Sequence, residues 1–100
     1  HEAVTEVIRA GGYHMGQPPD DTNEDYIGMR HGTGHGIGLD IHEPILLAKG
    51  GEKIMVNEVF TVEPGLYSAK YGGVRVEDMV AVTTTGHVNF NTLQSGLDWK

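Results

Sequence analysis

The stretch from His31 to Pro44, HGTGHGIGLDIHEP, constrains this chain more than any other. Gly32, Gly34, Gly36 and Gly38 fall at alternate positions, and His31, His35 and His42 lie within twelve residues. A glycine inside a helix costs about 1 kcal/mol relative to alanine, so four here exclude a helix. On an extended chain side chains alternate, and all four glycines project to one side and leave that face bare. His31, Thr33, His35, Ile37, Leu39 and Ile41 then share the opposite face. A bare face admits close approach by another backbone, a metal or a substrate. A glycine-rich loop with solvent-exposed histidines is the plainer alternative, and the regular punctuation argues against it. His42 has the wrong parity to share a face with His35. For both to serve one site, the chain has to bend or bulge between Gly36 and Ile41.

The segments around this stretch are shorter and more ordinary. Val4, Val7, Ile8 and Gly11 stand at helical spacing, which predicts an amphipathic helix over His1 to Ala10, stopped by Gly11-Gly12. Tyr13 to Tyr26 reads as a polar connection, with Pro18-Pro19 and the acids Asp20, Asp21, Glu24 and Asp25 as solvated surface. Glu43-Pro44 ends the histidine stretch, and Ile45 to Gly51 turns the chain. Three Val-rich segments then read as strands, near Ile54 to Glu63, Gly73 to Thr83 and His87 to Asn91. Pro64-Gly65 and Thr85-Gly86 mark the breaks between them. In the tail from Thr92 to Lys100 only Trp99 stands out, as a packing residue.

One hundred residues support a single domain at most. Fourteen acids against seven bases give a net charge of −7 with no Lys/Arg cluster, which argues against nucleic acid and anionic membrane as partners. No apolar run approaches a membrane span, and no signal-like segment opens the chain. The absence of cysteine removes disulfides and thiolate metal sites and fits a reducing, cytoplasmic setting. The chain opens at His1 within a helical pattern, which is expected of a piece of a longer protein or of a trimmed terminus.

Glu63 and Glu77 are the unusual carboxylates. Each interrupts an otherwise apolar strand, where a charge is costly unless paired or bound to metal. On neighbouring strands the two would repel unless a cation lay between them. Arg75, two residues from Glu77, is one such cation, giving an Arg–Glu cluster that fixes strand register. The alternative adds His35. Imidazole with carboxylates suits Zn, Mn, Fe or Co more than Ca or Mg. His31 and His42 then remain free for substrate, as proton donors or oxyanion partners.

GHGIGLDIHEP, FTVEPGLY and GVRVEDMV, in that order and spacing, resemble the metallopeptidases of the pita-bread fold over roughly His1 to Thr92. That superfamily includes methionine aminopeptidase, aminopeptidase P and Xaa-Pro dipeptidase (prolidase), and HGTGHGIGLDIHE with EPGLY is more similar to the proline-specific branch. The resemblance implies an α+β fold, the C-terminal half of a pita-bread domain, with a curved antiparallel sheet and a flanking helix. It implies that His35, Glu63 and Glu77 are metal ligands, Glu77 bridging two ions and Glu63 also moving a proton. His42 then resembles the histidine that hydrogen-bonds the scissile peptide, and His31 the substrate-side histidine. Arg75 and Tyr67 resemble residues that orient the carboxylates and the site.

Two departures stand out. Asn57-Glu58 replaces the Gly-Met usual before the FTVEP strand, a small change because asparagine tolerates a left-handed turn. The two aspartate ligands that precede this region in the family have no match before His31. Asp20, Asp21 and Asp25 sit in a proline-rich loop and do not replace them. The expectation is therefore residues 1–100 as the C-terminal portion of a catalytic domain, packed against an upstream half and inactive alone.

For the whole enzyme the resemblance implies two divalent ions (Mn, Co, Zn or Fe) and a substrate with proline at the second position. A hydroxide held between the ions would attack the peptide bond preceding proline. It also implies a cytoplasmic homodimer. The rivals are a non-catalytic pita-bread relative acting as a binding module, a methionine aminopeptidase, and a mononuclear His/carboxylate oxygenase. The last lacks its usual closely spaced His-x-His or His-x-Asp pair here.

Overall fold

A computed structural model describes residues 1–20 and 24–92. Asp21 and Trp99 lie outside the described residues. The chain opens with helix α1 (Glu2–Ala10), one residue shorter than the sequence predicts. Glu2 in its first turn and Arg9 in its last complement the helix dipole. Val4 and Ile8, one turn apart, are half-buried, whereas Val7 is 71% exposed and no helical residue is fully buried. Gly12 takes the left-handed conformation that ends the helix (φ 84°), and Gly11 stays right-handed.

Nine short strands follow among the described residues, in two sheets. In the first, β1 (His14–Met15) pairs in parallel with β2 (Ile27–Met29). β2 pairs antiparallel with β6 (Gly65–Ser68), and β6 with β7 (Gly72–Arg75). The second sheet runs β4 (Glu43–Leu47), β3 (Gly34–Gly36), β5 (Val59–Val62), β8 (Asp78–Val82) and β9 (His87–Asn89), all antiparallel. The antiparallel sheet with a flanking helix is thus present, divided in two and with one parallel pair.

The division explains most differences from the sequence reading. The segment expected as one strand from Gly73 to Thr83 is two: β7 belongs to the first sheet and β8 to the second, with the switch at Val76-Glu77. The preceding segment behaves likewise, β5 passing into β6 across Glu63-Pro64. The Val76 N–H donates to the Pro64 carbonyl at 3.2 Å and ties the two crossings together. A third crossing, from β2 to β3, runs through His31.

Ile54 to Val56 are exposed and precede β5, because Asn57 turns the chain first. Its φ of 73° is the left-handed conformation expected of it, and its N–H donates to the Val82 carbonyl at 2.9 Å. Ile45 to Leu47, expected as a turn, continue β4. Pro44 sits within β4, tolerated because β4 is an edge strand.

Among the described residues the buried hydrophobic side chains are Tyr26, Met29 and Phe60, accompanied by buried Thr33, Thr61 and Ser68. Phe60, the largest fully buried side chain among them, pairs with Gly36. Among the described residues no helix is long and apolar enough to cross a membrane.

Candidate metal centre

The polar residues singled out by the sequence gather where the chain passes between the sheets. The β3–β4 register shifts between His35 and Gly36, and residues 38–42 bend. This irregularity answers the parity problem: the His35 and His42 rings lie 4.3 Å apart, tilted by 54°. It also breaks the single face expected from His31 to Ile41, since Thr33 is buried while Leu39 and Ile41 are exposed.

His35 and Glu63 meet. The Nε2 of His35 is 3.2 Å from Glu63 Oε1, both side chains being 13% exposed. The other ring nitrogen, Nδ1, lies 2.9 Å from the Gly36 carbonyl oxygen. A carbonyl only accepts, so Nδ1 donates, and in the neutral ring Nε2 then presents a lone pair. Two acceptors facing each other at this distance require a shared proton or a shared cation. Ligand bonds near 2 Å to one ion place neighbouring donor atoms about 3 Å apart, so this pair fits two cis ligands of a metal. A ring nitrogen fixed by a backbone carbonyl is also the usual arrangement of a metal-binding histidine.

Glu77 does not join them at one point. Among the described residues no three His, Cys, Asp or Glu side chains stand close enough to hold an ion. Arg75 reaches both carboxylates instead, its Nε 3.6 Å from Glu63 Oε2 and its Nη2 3.5 Å from Glu77 Oε2. The guanidinium supplies the cation that two neighbouring carboxylates demand. Arg75 is 51% exposed and Glu77 44%, so solvent screens this bridge and each contact is weak.

His31 and Tyr67 form a second pair. His31 Nδ1 donates to the Gly32 carbonyl at 2.7 Å, and the Tyr67 hydroxyl donates to His31 Nε2 at 2.8 Å. Tyr67 therefore orients His31; the contact expected with the carboxylates belongs to Arg75. Glycines make room for the Tyr67 ring: a Cβ at Gly73 would stand 2.5 Å from its Cδ1, and one at Gly65 2.6 Å from its hydroxyl.

Thr61 was not singled out by the sequence, and only its place two residues before Glu63, on the same strand face, hints at a role. Its hydroxyl accepts the His35 N–H at 3.0 Å and lies 3.0 Å from Glu63 Oε1.

Comparison with known proteins decides the lineage of this arrangement. Residues 1–84 match metallopeptidase family M24. This chain belongs to family M24. A metal cofactor is therefore implied, and the His35–Glu63 pair is where the chain's own geometry fits one. The Xaa-Pro dipeptidase of Pyrococcus furiosus is 46% identical over 57 residues, 56% of this chain and 16% of that protein. Among solved structures, an Xaa-Pro dipeptidase from Bacillus anthracis is 36% identical with a TM-score of 0.73, over 96% of this chain and 25% of that one. An X-Pro aminopeptidase from Thermotoga maritima is 34% identical with a TM-score of 0.71, over 91% of this chain and 23% of that one. The fold is that of the pita-bread peptidases. This M24 chain spans at most a quarter of the length of these relatives.

Proposed function

We propose that the protein carrying this chain is an Xaa-Pro peptidase, of the dipeptidase or aminopeptidase P kind, hydrolysing the peptide bond before proline with two divalent ions (Mn, Co, Zn or Fe). The observation that carries this reading is the His35 Nε2 lone pair facing Glu63 Oε1 at 3.2 Å, in a chain of a metallopeptidase family. His35, Glu63 and Glu77 would hold the metal. When bound, the ions lower the pKa of water and polarise the substrate carbonyl. Glu63 accepts a proton from the attacking water and returns it to the departing amine. His42, beside His35, donates to the carbonyl oxygen as negative charge grows there. His31, held by Tyr67, contacts the substrate from the other crossing.

On this reading residues 1–100 are the C-terminal portion of a catalytic domain, and its upstream half supplies two aspartates. The relatives' greater length supports that. The lack of cysteine supports a cytoplasmic enzyme, and exposed Leu39, Ile41 and Phe90 support a homodimer. The test is cleavage after chelation. Restoring Mn or Co should restore hydrolysis of an Xaa-Pro dipeptide or of an Xaa-Pro tripeptide and leave the matching Xaa-Ala peptides intact. No cleavage with any of the four metals would overturn the reading, and release of N-terminal methionine would favour methionine aminopeptidase.

The Arg75 bridge favours one alternative, a non-catalytic binding relative in which the guanidinium permanently takes the cation's place. Peptide binding without turnover and without metal would identify it.

A further inference from the structure

We propose that Thr61 is a positioning residue whose hydroxyl holds the Glu63 carboxylate against His35 at the separation that a shared cation needs. The proposal rests on the reading of His35 and Glu63 as metal ligands.

The backbone around Thr61 departs from a regular ladder. Gly36 pairs with Phe60, and the Glu63 N–H to Thr33 carbonyl and Ile37 N–H to Val59 carbonyl bonds flank it in the same register. His35 therefore stands opposite Thr61, where its N–H would ordinarily donate to the Thr61 carbonyl. It donates to the Thr61 hydroxyl instead, at 3.0 Å. The Thr61 carbonyl is turned toward Gly34, so closely that a Cβ on Gly34 would collide with it. The glycine at 34 permits a rung in which a side chain replaces a backbone acceptor.

Having accepted that N–H, the hydroxyl has one proton to give. Its two acceptors are Glu63 Oε1 at 3.0 Å and the His35 carbonyl at 3.4 Å. The nearer, charged acceptor takes it. Glu63 Oε1 is thereby fixed between the Thr61 hydroxyl and His35 Nε2, while Oε2 faces Arg75. Because one hydroxyl holds both the His35 backbone and the Glu63 side chain, it sets the spacing between the two donor atoms. Thr61 is 3% exposed, so water does not readily replace it.

The test is Co²⁺ binding to the full-length protein, by titration with visible absorption, alongside the unfolding midpoint of the metal-free protein. Thr61→Val keeps the shape and removes the hydroxyl, and should weaken Co²⁺ binding by roughly 10- to 100-fold, the usual effect of losing a partner of a metal ligand. Thr61→Ser restores the hydroxyl and should restore the affinity and the absorption bands. If Thr61→Val does not fold, Thr61→Ala replaces it, with weaker binding than Thr61→Ser expected. His35→Ala and Glu63→Gln separate the two ideas. If they lose Co²⁺ while Thr61→Val, or Thr61→Ala in its place, binds it as tightly as wild type, positioning by Thr61 is wrong and the ligand reading stands. A lower unfolding midpoint with unchanged affinity overturns the proposal in the same way. If His35→Ala and Glu63→Gln keep wild-type affinity, the ligand reading fails and takes the proposal with it.

Discussion

His35 and His42 show how two residues of one type diverge in role. His35 lies in β3, its ring nitrogens engaged by the Gly36 carbonyl and Glu63, while His42 lies in the following bend, exposed, with its ring beside that of His35. His42→Ala should therefore leave metal content nearly unchanged and lower kcat by roughly 10²–10³, the effect of losing one oxyanion donor. Loss of metal along with activity would show that His42 is itself a ligand. Glu77→Ala should release metal, as measured by equilibrium dialysis; unchanged metal content would leave Glu77 as Arg75's partner only. Tyr67→Phe removes the donor to His31 Nε2, a bond worth about 1 kcal/mol, so kcat/KM should fall about fivefold. Most of these residues were legible in the sequence because histidine and glutamate are costly in apolar strands and came in three ordered motifs. Thr61 was not, because a threonine in a strand is ordinary and its hydroxyl's partners depend on a distorted rung.

At the scale of elements, strands that change sheets explain what the sequence could and could not convey. An extended backbone keeps its alternation while passing from one sheet to another, so β5–β6 and β7–β8 read as continuous segments. The breaks fall at Glu63-Pro64 and Val76-Glu77, beside the very residues whose chemistry drew notice. β1 and β2, two and three residues long, carry too little pattern to be seen. The helix and the β9 region were legible to within two residues. Two substitutions test the turns and close approaches. Asn57→Ala should cost about 1 kcal/mol at its left-handed φ, and Asn57→Gly should be tolerated, both by denaturant unfolding. Gly34→Ala should cost about 1–3 kcal/mol or more, since the new Cβ meets the Thr61 backbone. Wild-type stability for Gly34→Ala would mean that β3 and β5 are not so close.

At the scale of the molecule, the described residues form two small sheets joined by three chain crossings, and Glu63 and Glu77, at two of them, share the Arg75 guanidinium. Few side chains are fully buried, and Leu39, Ile41, Val74, Val76 and Phe90 are exposed. These 100 residues alone are expected to associate with increasing concentration in sedimentation velocity, and to show no Xaa-Pro hydrolysis. A persistent monomer would mean that the exposed side chains form no adhesive surface. The metal centre itself is tested most directly by anomalous scattering from crystals of the full-length protein grown with Mn²⁺. One peak should lie about 2 Å from both His35 Nε2 and Glu63 Oε1, with Glu77 bonded to metal instead of Arg75. A second peak should lie about 3.5–4 Å from the first. An Arg75 guanidinium still bridging Glu63 and Glu77, with no peak beside His35, would contradict a metal centre here.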